Sequence, residues 1–476
     1  MAAASCGGSS APAPFGVRFT AAASGKLWVL DEASARVIRL DPVGAASGSA
    51  RVAPHPAGLR ATGDGGWVVT LSAEPRTSTL TAVRATTSGE LTPSRIAVRP
   101  HHNAFTVSTA PANRYAVTYV DLAALAGVVV DGTASFNEIT VVDLNGTEPV
   151  ATSVVVGFNP RQVVFTPDGT KAIVLSESFA SVVPLANPAA TVRVPLGANT
   201  ATHPVTPQTA ITTADNASAL VARAGSADVF LITLSPPSVN ILDFGIAPTR
   251  LISSSDGASI LGIARGLPTI ALLDLPTGIV RQIDAGGPVT DAAVPPDPLD
   301  RRMLLWGAGT QREEFYALDL DAATASTVAL VNPATQIAIG PGGTAVVLHE
   351  RSFTPGGDEV QQFFDAHEAL SIVDRDVSLV TPIALDAEPA TIAFFEGADG
   401  TPRALVPLEG SAHVAEIGLG DQLASALRVS DVPRDVIPLG AEGVAIVHDQ
   451  PFGLVTFLRA DGTMTVARGF LLDGTL

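Results

Sequence analysis

A proline returns along this chain at a spacing that a single globular core does not explain. Pro14, Pro56, Pro100, Pro160, Pro204, Pro248, Pro288, Pro333, Pro389 and Pro433 each precede a short β-type run within a few residues. Most neighbours lie close to 44 residues apart, as Pro56 and Pro100 do. Two intervals are longer, from Pro100 to Pro160 and from Pro333 to Pro389. Self-similarity at that period is the mark of a repeat architecture, in which each unit covers its neighbour's apolar face. Proline suits the unit boundary because it fixes φ and has no N–H to place in a ladder.

Gly157 to Gly197 is the clearest unit. Four runs, VVFTP, KAIVLSES, FASVVPL and TVRVPLG, are rich in Val, Ile and Leu and bounded by turn residues. Asp168-Gly169 between the first two favours a tight antiparallel turn. A second marker closes the third run of many units with an aspartate: Asp41, Asp143, Asp274, Asp319 and Asp374. An Asp there is expected to cap the following turn with its side-chain oxygen.

The two markers together resemble the YVTN and YncE-like class of β-propeller repeats. The resemblance is closest at Gly157 to Gly197, and Val141 to Pro160 and Leu272 to Pro288 carry it too. It implies an all-β chain of about ten four-stranded antiparallel blades, with residues 1–13 as a flexible tail and 14–476 as the propeller. A single ring is expected, because no linker breaks the register near Gly245. The alternatives are two five-bladed rings, or a seven- or eight-bladed ring with extra units. Closure of one ring would join MTVARGF (Met464 to Phe470) to the N-terminal PFGVRF. The long units three and eight carry insertions around Leu122 to Asn137 and Arg351 to Glu368, expected as irregular loops between the second and third runs. Being five units apart, they would face each other across the channel.

The net charge of −18 argues against nucleic acid as a partner, since an acidic chain repels a phosphate backbone. No apolar run approaches the ~18 residues of a spanning helix, and the longest is near Leu122 to Val130. With Cys6 the only cysteine, neither a disulfide framework nor a Cys-type zinc site is available. Ala4-Ser5-Cys6, followed by a Gly/Ser/Ala/Pro stretch, resembles the bacterial lipobox, although Ala3 stands where Leu is usual. That resemblance implies lipidation of Cys6, an extracytoplasmic location in the cell envelope, and a leader upstream of Met1. A cytoplasmic scaffold is the alternative if Met1 is the true start.

On a propeller reading all eight histidines fall on the face that bears the blade-to-blade connections: His55, His101, His102, His203, His349, His367, His413 and His448. Imidazoles converging on a channel mouth could bind a transition metal. No zinc-type spacing is present, so no cofactor is expected, with a metal at the channel mouth as the alternative. His101-His102 is the pair of interest. Arg161, Arg250 and Arg434 follow marker prolines and could ring the same mouth, available to an anionic ligand or an acidic partner. The unit-eight insertion adds Phe353, Phe363 and Phe364 as candidate contacts. Trp28, Trp67 and Trp306 in second runs are expected to pack between blades. No GxSxG elbow and no phosphate loop occurs. The favoured reading is a non-catalytic extracytoplasmic scaffold that binds a protein or small anionic ligand on the long-loop face. The rival is a propeller-class enzyme, a lactonase-like hydrolase or metal-dependent oxidoreductase, with its site at the channel mouth.

Overall fold

The computed structural model describes residues 17–74, 76–86, 89–125, 135–197, 204–352 and 357–471. Ten four-stranded sheets follow one another, each built of four consecutive antiparallel strands in simple order. Blades 1 to 5 span Phe19–Arg51, Pro56–Ala97, Ala104–Val155, Gln162–Pro195 and Pro207–Asp243. Blades 6 to 10 span Arg250–Val289, Asp291–Ala329, Ala334–Leu385, Ala393–Arg428 and Pro433–Arg468. They form one ring, so the chain is a ten-bladed β-propeller.

The sequence pattern explains the layout. Second strands such as Val68–Ser72 and Val444–His448 are buried at every position, because a sheet covers each of their faces. Their near-continuous apolar runs follow from that. Outer strands such as Val150–Val155 are largely exposed, with only Val154 buried. First strands of adjacent blades neighbour one another, and so do many of the fourth strands. The free edges of the first strands therefore line the channel. Most marker prolines stand at, or up to four residues before, a first strand. Pro288, three residues before the first strand of blade 7, also lies inside the long strand Ile279–Val289 that continues from blade 6's outer edge, and Pro14 lies outside the described residues.

Between successive blades lies an apolar cluster, ten in all among the described residues. The tenth closes the ring: Val17, Leu27, Val29, Ile38 and Leu40 pack on Leu439, Val447, Val455, Phe457 and Phe470. The two segments expected to meet do share this cluster. Closure is by side-chain packing, and the last strand, Met464–Arg468, stays in blade 10. The Thr465 hydroxyl also donates to the Pro42 carbonyl of blade 1. The three tryptophans pack between blades as expected, within the clusters of blades 1–2, 2–3 and 7–8. Trp67 Nε1 donates to Leu144 O of blade 3 at 2.8 Å, and Trp306 Nε1 to Thr335 O of blade 8 at 3.2 Å.

Connections between blades and the loops joining second to third strands lie on one face, here called upper. Turns joining first to second and third to fourth strands lie on the lower face. The third-strand aspartates cap lower turns: Asp143 Oδ1 accepts from Asn145 N at 2.8 Å, and Asp319 Oδ1 from Asp321 N at 2.9 Å. Asp41 and Asp374 do likewise, whereas at Asp274 it is the backbone carbonyl that accepts, from Gly278 N.

Phe457 is fully buried in the closing cluster, and Phe230 is 2% exposed between blades 4 and 5. Each truncation, Phe457→Ala or Phe230→Ala, is expected to cost about 3–5 kcal/mol, as for large buried aromatics generally. Denaturant unfolding of both variants checks this. A loss at Phe457 far below that at Phe230 would mean the ring is open in solution.

Candidate functional site

The upper face gathers the residues singled out in the sequence, but it buries part of them. The seven described histidines all stand at upper strand ends or in upper loops. His203 lies outside the described residues, as do Phe353 and Cys6. His102 is fully buried, its Nδ1 2.7 Å from Thr118 Oγ1 and its Nε2 without a partner among the described residues. His349 Nε2 lies 2.7 Å from Ser371 Oγ, with the backbone of Asn332 and Pro333 beside the ring. His448 is held on both sides, by Thr456 Oγ1 at 2.8 Å and Val432 O at 3.2 Å. Each thus belongs to a blade wall, bonded to a hydroxyl of its own sheet. His101 is buried at 5% exposure with φ +62°, a left-handed conformation. Among the described residues no three His, Cys, Asp or Glu side chains are grouped to hold a metal.

Burial sets the titration of these rings. It pushes His102 down to about 3, with the Arg99 charge adding to the effect. It pushes His349 down to about 4, partly offset by the backbone of Asn332 and Pro333. His448 is lowered for the same reason, against the pull of Val432 and Asp431.

The arginines divide. Arg161 and Thr249, the residue before Arg250, line one depression of about 600 Å³ across blades 4 to 6. Arg161 is paired with Glu177 at 3.2 Å and Arg250 with Asp291, so both charges are already answered. Arg434 is exposed on blade 10, does not line that depression, and makes no ion pair among the described residues.

Both insertions join second to third strands, as expected, in blades 3 and 8. Five blades apart in a ring of ten, they oppose each other across the channel. In blade 3, Phe136 meets Phe158 edge-on at 6.4 Å. The blade 8 insertion is not an irregular loop throughout, since it contains a helix, α1 (Glu359–Asp365). Asp358 caps α1 by accepting from Gln361 N at 2.9 Å, and Glu359 suits its first turn. Gln361 Nε2 donates to Val331 O at 2.7 Å and Asn332 Nδ2 to Phe364 O at 3.1 Å, docking α1 on the blade 7–8 connection. Phe364 is buried there, whereas Phe363 is 47% exposed and stacks on His367 at 4.3 Å.

The sequence reading missed a feature of the lower rim. Turns joining first to second strands are laced blade to blade: Asn113 Nδ2 donates to Asp168 O at 2.6 Å, and Asp168 N to Asn216 Oδ1 at 2.9 Å. The Thr213 hydroxyl and Ala217 N–H hold Asp215's carboxyl below the usual range, fixing it as an acceptor inside its turn. A Cβ on Gly257 would lie 2.3 Å from Ala214 Cβ of the preceding blade, so these turns touch. At blades 8 to 10 the first-to-second turns part around a cavity of about 480 Å³, while Ala398 N still donates to Ala460 O of blade 10 at 2.7 Å. Its signal was legible as Pro341-Gly342-Gly343 and Gly440-Ala441-Glu442, where units two, four, five, six and nine have Asp-Gly or Asp-Asn.

Fold and rim define a ten-bladed β-propeller with an upper face of loops and a lower rim of interlocked turns. The sequence matches no protein-family model and no curated protein. Among solved structures it is similar to the dihydro-heme d1 dehydrogenase NirN in complex with DHE, at 12% identity and a TM-score of 0.46, over 89% of this chain and 77% of that one. Apo AztD from Citrobacter koseri matches at 12% identity and a TM-score of 0.44, over 86% and 96%. The Neurospora crassa Pan2 WD40 domain gives 13%, 0.35, 62% and 82%. Likeness at this level does not extend to function.

The buried histidines give a pH dependence with a definite sign. Above about pH 6.5 an imidazole is neutral both folded and unfolded, and contributes nothing. Below it the unfolded chain takes up the proton while His102 and His349 refuse it down to about 3 and 4. Stability therefore falls with acid in that window, by about 1.4 kcal/mol per pH unit for each ring. Denaturant titrations between pH 7.5 and 4.5 should show this slope, reduced in H102L/H349L. An unchanged slope in the double variant would refute the assignment.

Proposed function

We propose that this protein is a non-catalytic extracytoplasmic scaffold, anchored through Cys6, that captures a protein partner with a basic surface on its upper face. The observation that carries this is the pairing of exposed aromatics with unanswered carboxylates on that face. Phe158, Phe363 and Phe452 are 52%, 47% and 59% exposed, all in upper loops. Around the blades 8–10 sector, Glu350, Asp358, Glu359, Asp386, Glu388 and Glu409 are exposed, and none forms an ion pair among the described residues. Elsewhere on the same face Glu138 is matched by Arg99, and within the sector Glu368 is matched by Arg351.

Phe363 and Phe452 stand in that sector, where Arg434 is an exposed cation, and Phe158 stands across the ring at the blade 3–4 connection. Exposed aromatics on a face with surplus carboxylate favour a large complementary surface, with charge steering the encounter. A small anionic ligand is less well served, because Arg161 and Arg250 already have carboxylate partners. The resemblance to YVTN and YncE-like repeats fits a scaffold role in this reading, as it fits many others.

The test compares wild type with F158D/F363D, both exposed positions, in pull-downs from a cell-envelope fraction. A discrete partner should be retained by wild type, released as salt rises, and lost from the variant at unchanged melting temperature. Equal retention by both proteins, or indifference to salt, would count against the reading. Mass spectrometry of the native mature protein should separately find a lipid-modified Cys6 as its first residue, and an intact Met1 would refute the anchor.

A further inference from the structure

The lower-rim cavity lies on the face opposite the proposed docking surface and is independent of it. At blades 3 to 6 successive turns are pressed together, so that a Cβ on Gly169 would lie 2.6 Å from Ala110 Cβ and one on Gly257 2.3 Å from Ala214 Cβ. At Gly342 of blade 8 and Gly440 of blade 10 nothing lies within 4 Å of such a Cβ. The turns stand apart there, and the space between them is the cavity of about 480 Å³.

Its walls are apolar. Pro341 comes from blade 8, Phe394, Phe395 and Pro402 from blade 9, and Pro438 from blade 10. The two phenylalanines are fixed, since Phe394 packs into the blade 8–9 cluster and Phe395 into the blade 9–10 cluster. A volume of this size lined by rigid apolar groups is what a small-molecule site requires. One charged residue shares the lining, Glu396. It is exposed and has no hydrogen bond or ion pair among the described residues. The nearby guanidinium of Arg403 is taken by Glu416 at 2.7 Å and Asp399 at 3.4 Å.

We propose that this cavity binds a small apolar molecule bearing an ammonium group, with the hydrocarbon against Phe394 and the prolines and the cation on Glu396. A neutral apolar ligand would strip water from Glu396 and leave the carboxylate unanswered, at a free-energy cost. A cation answers it, and the adjacent aromatic faces favour positive charge. An anionic ligand would be repelled by Glu396 and by the net charge of −18.

Two probes of the same shape test this by calorimetry on the full chain: phenethylammonium and its neutral analogue phenethyl alcohol. Phenethylammonium should bind one-to-one and at least ten-fold tighter than the alcohol. Glu396→Gln should remove that preference, and Ala441→Trp, which fills the cavity from its exposed wall, should abolish binding of both. F158D/F363D on the upper face should bind like wild type, so a failed partner reading leaves this result unaffected. Absence of binding, equal affinity for the two probes, or an ammonium preference that survives Glu396→Gln would each overturn the proposal.

Discussion

A four-stranded blade of this sequence is apolar on both of its faces, and only another blade can cover each one. That single constraint governs the molecule. Second strands such as Ala345–His349 are buried along their whole length, so no blade is stable alone and no end of the array can be left bare. Ring closure meets the requirement without capping units: Val17 and Leu40 at one end of the chain bury Phe457 and Phe470 at the other. The apolar composition and the positive mean hydropathy follow from ten such interfaces rather than from a membrane-facing surface.

How much of this the sequence showed depends on the range of the signal. Strand runs, marker prolines and blade number are local patterns that repeat, and repetition averages out weak units, so the count of ten was legible. The turn-capping role of Asp143 and Asp319 was legible because donor and acceptor lie two residues apart. Burial of His102 was not, because it depends on Thr118, which reaches it only once the sheet is assembled. Helix α1 was missed for a similar reason. Its seven residues show no clear periodicity, and part of what holds it is Val331 and Asn332 on the preceding connection. The rim cavity was missed because its walls come from three turns of three blades that meet only in the ring.

The two faces of the ring differ in mechanical character. Below, hydrogen bonds run from turn to turn, as from Asn113 to Asp168 to Asn216, and side chains of adjacent blades meet at van der Waals contact. Above, ion pairs at exposed positions, such as Arg161 with Glu177, which hold little free energy in water, stand beside the hydrogen bonds from Gln361 and Asn332 that dock α1.

The placement of the two insertions has a wider consequence. Both depart between a second and a third strand whose pairing is already fixed, from Tyr115↔Asp143 to Tyr119↔Ile139 in blade 3 and from Ala345↔Val373 to Leu348↔Leu370 in blade 8. Added length there does not disturb the register, because the hairpin's far end stays paired however long its loop becomes, and loop-closure cost grows only with the logarithm of length. The equivalent loops of the other eight blades have the same geometry and remain short. The ring is thus a frame with ten graft points on one face, of which this chain has extended two that lie diametrically apart.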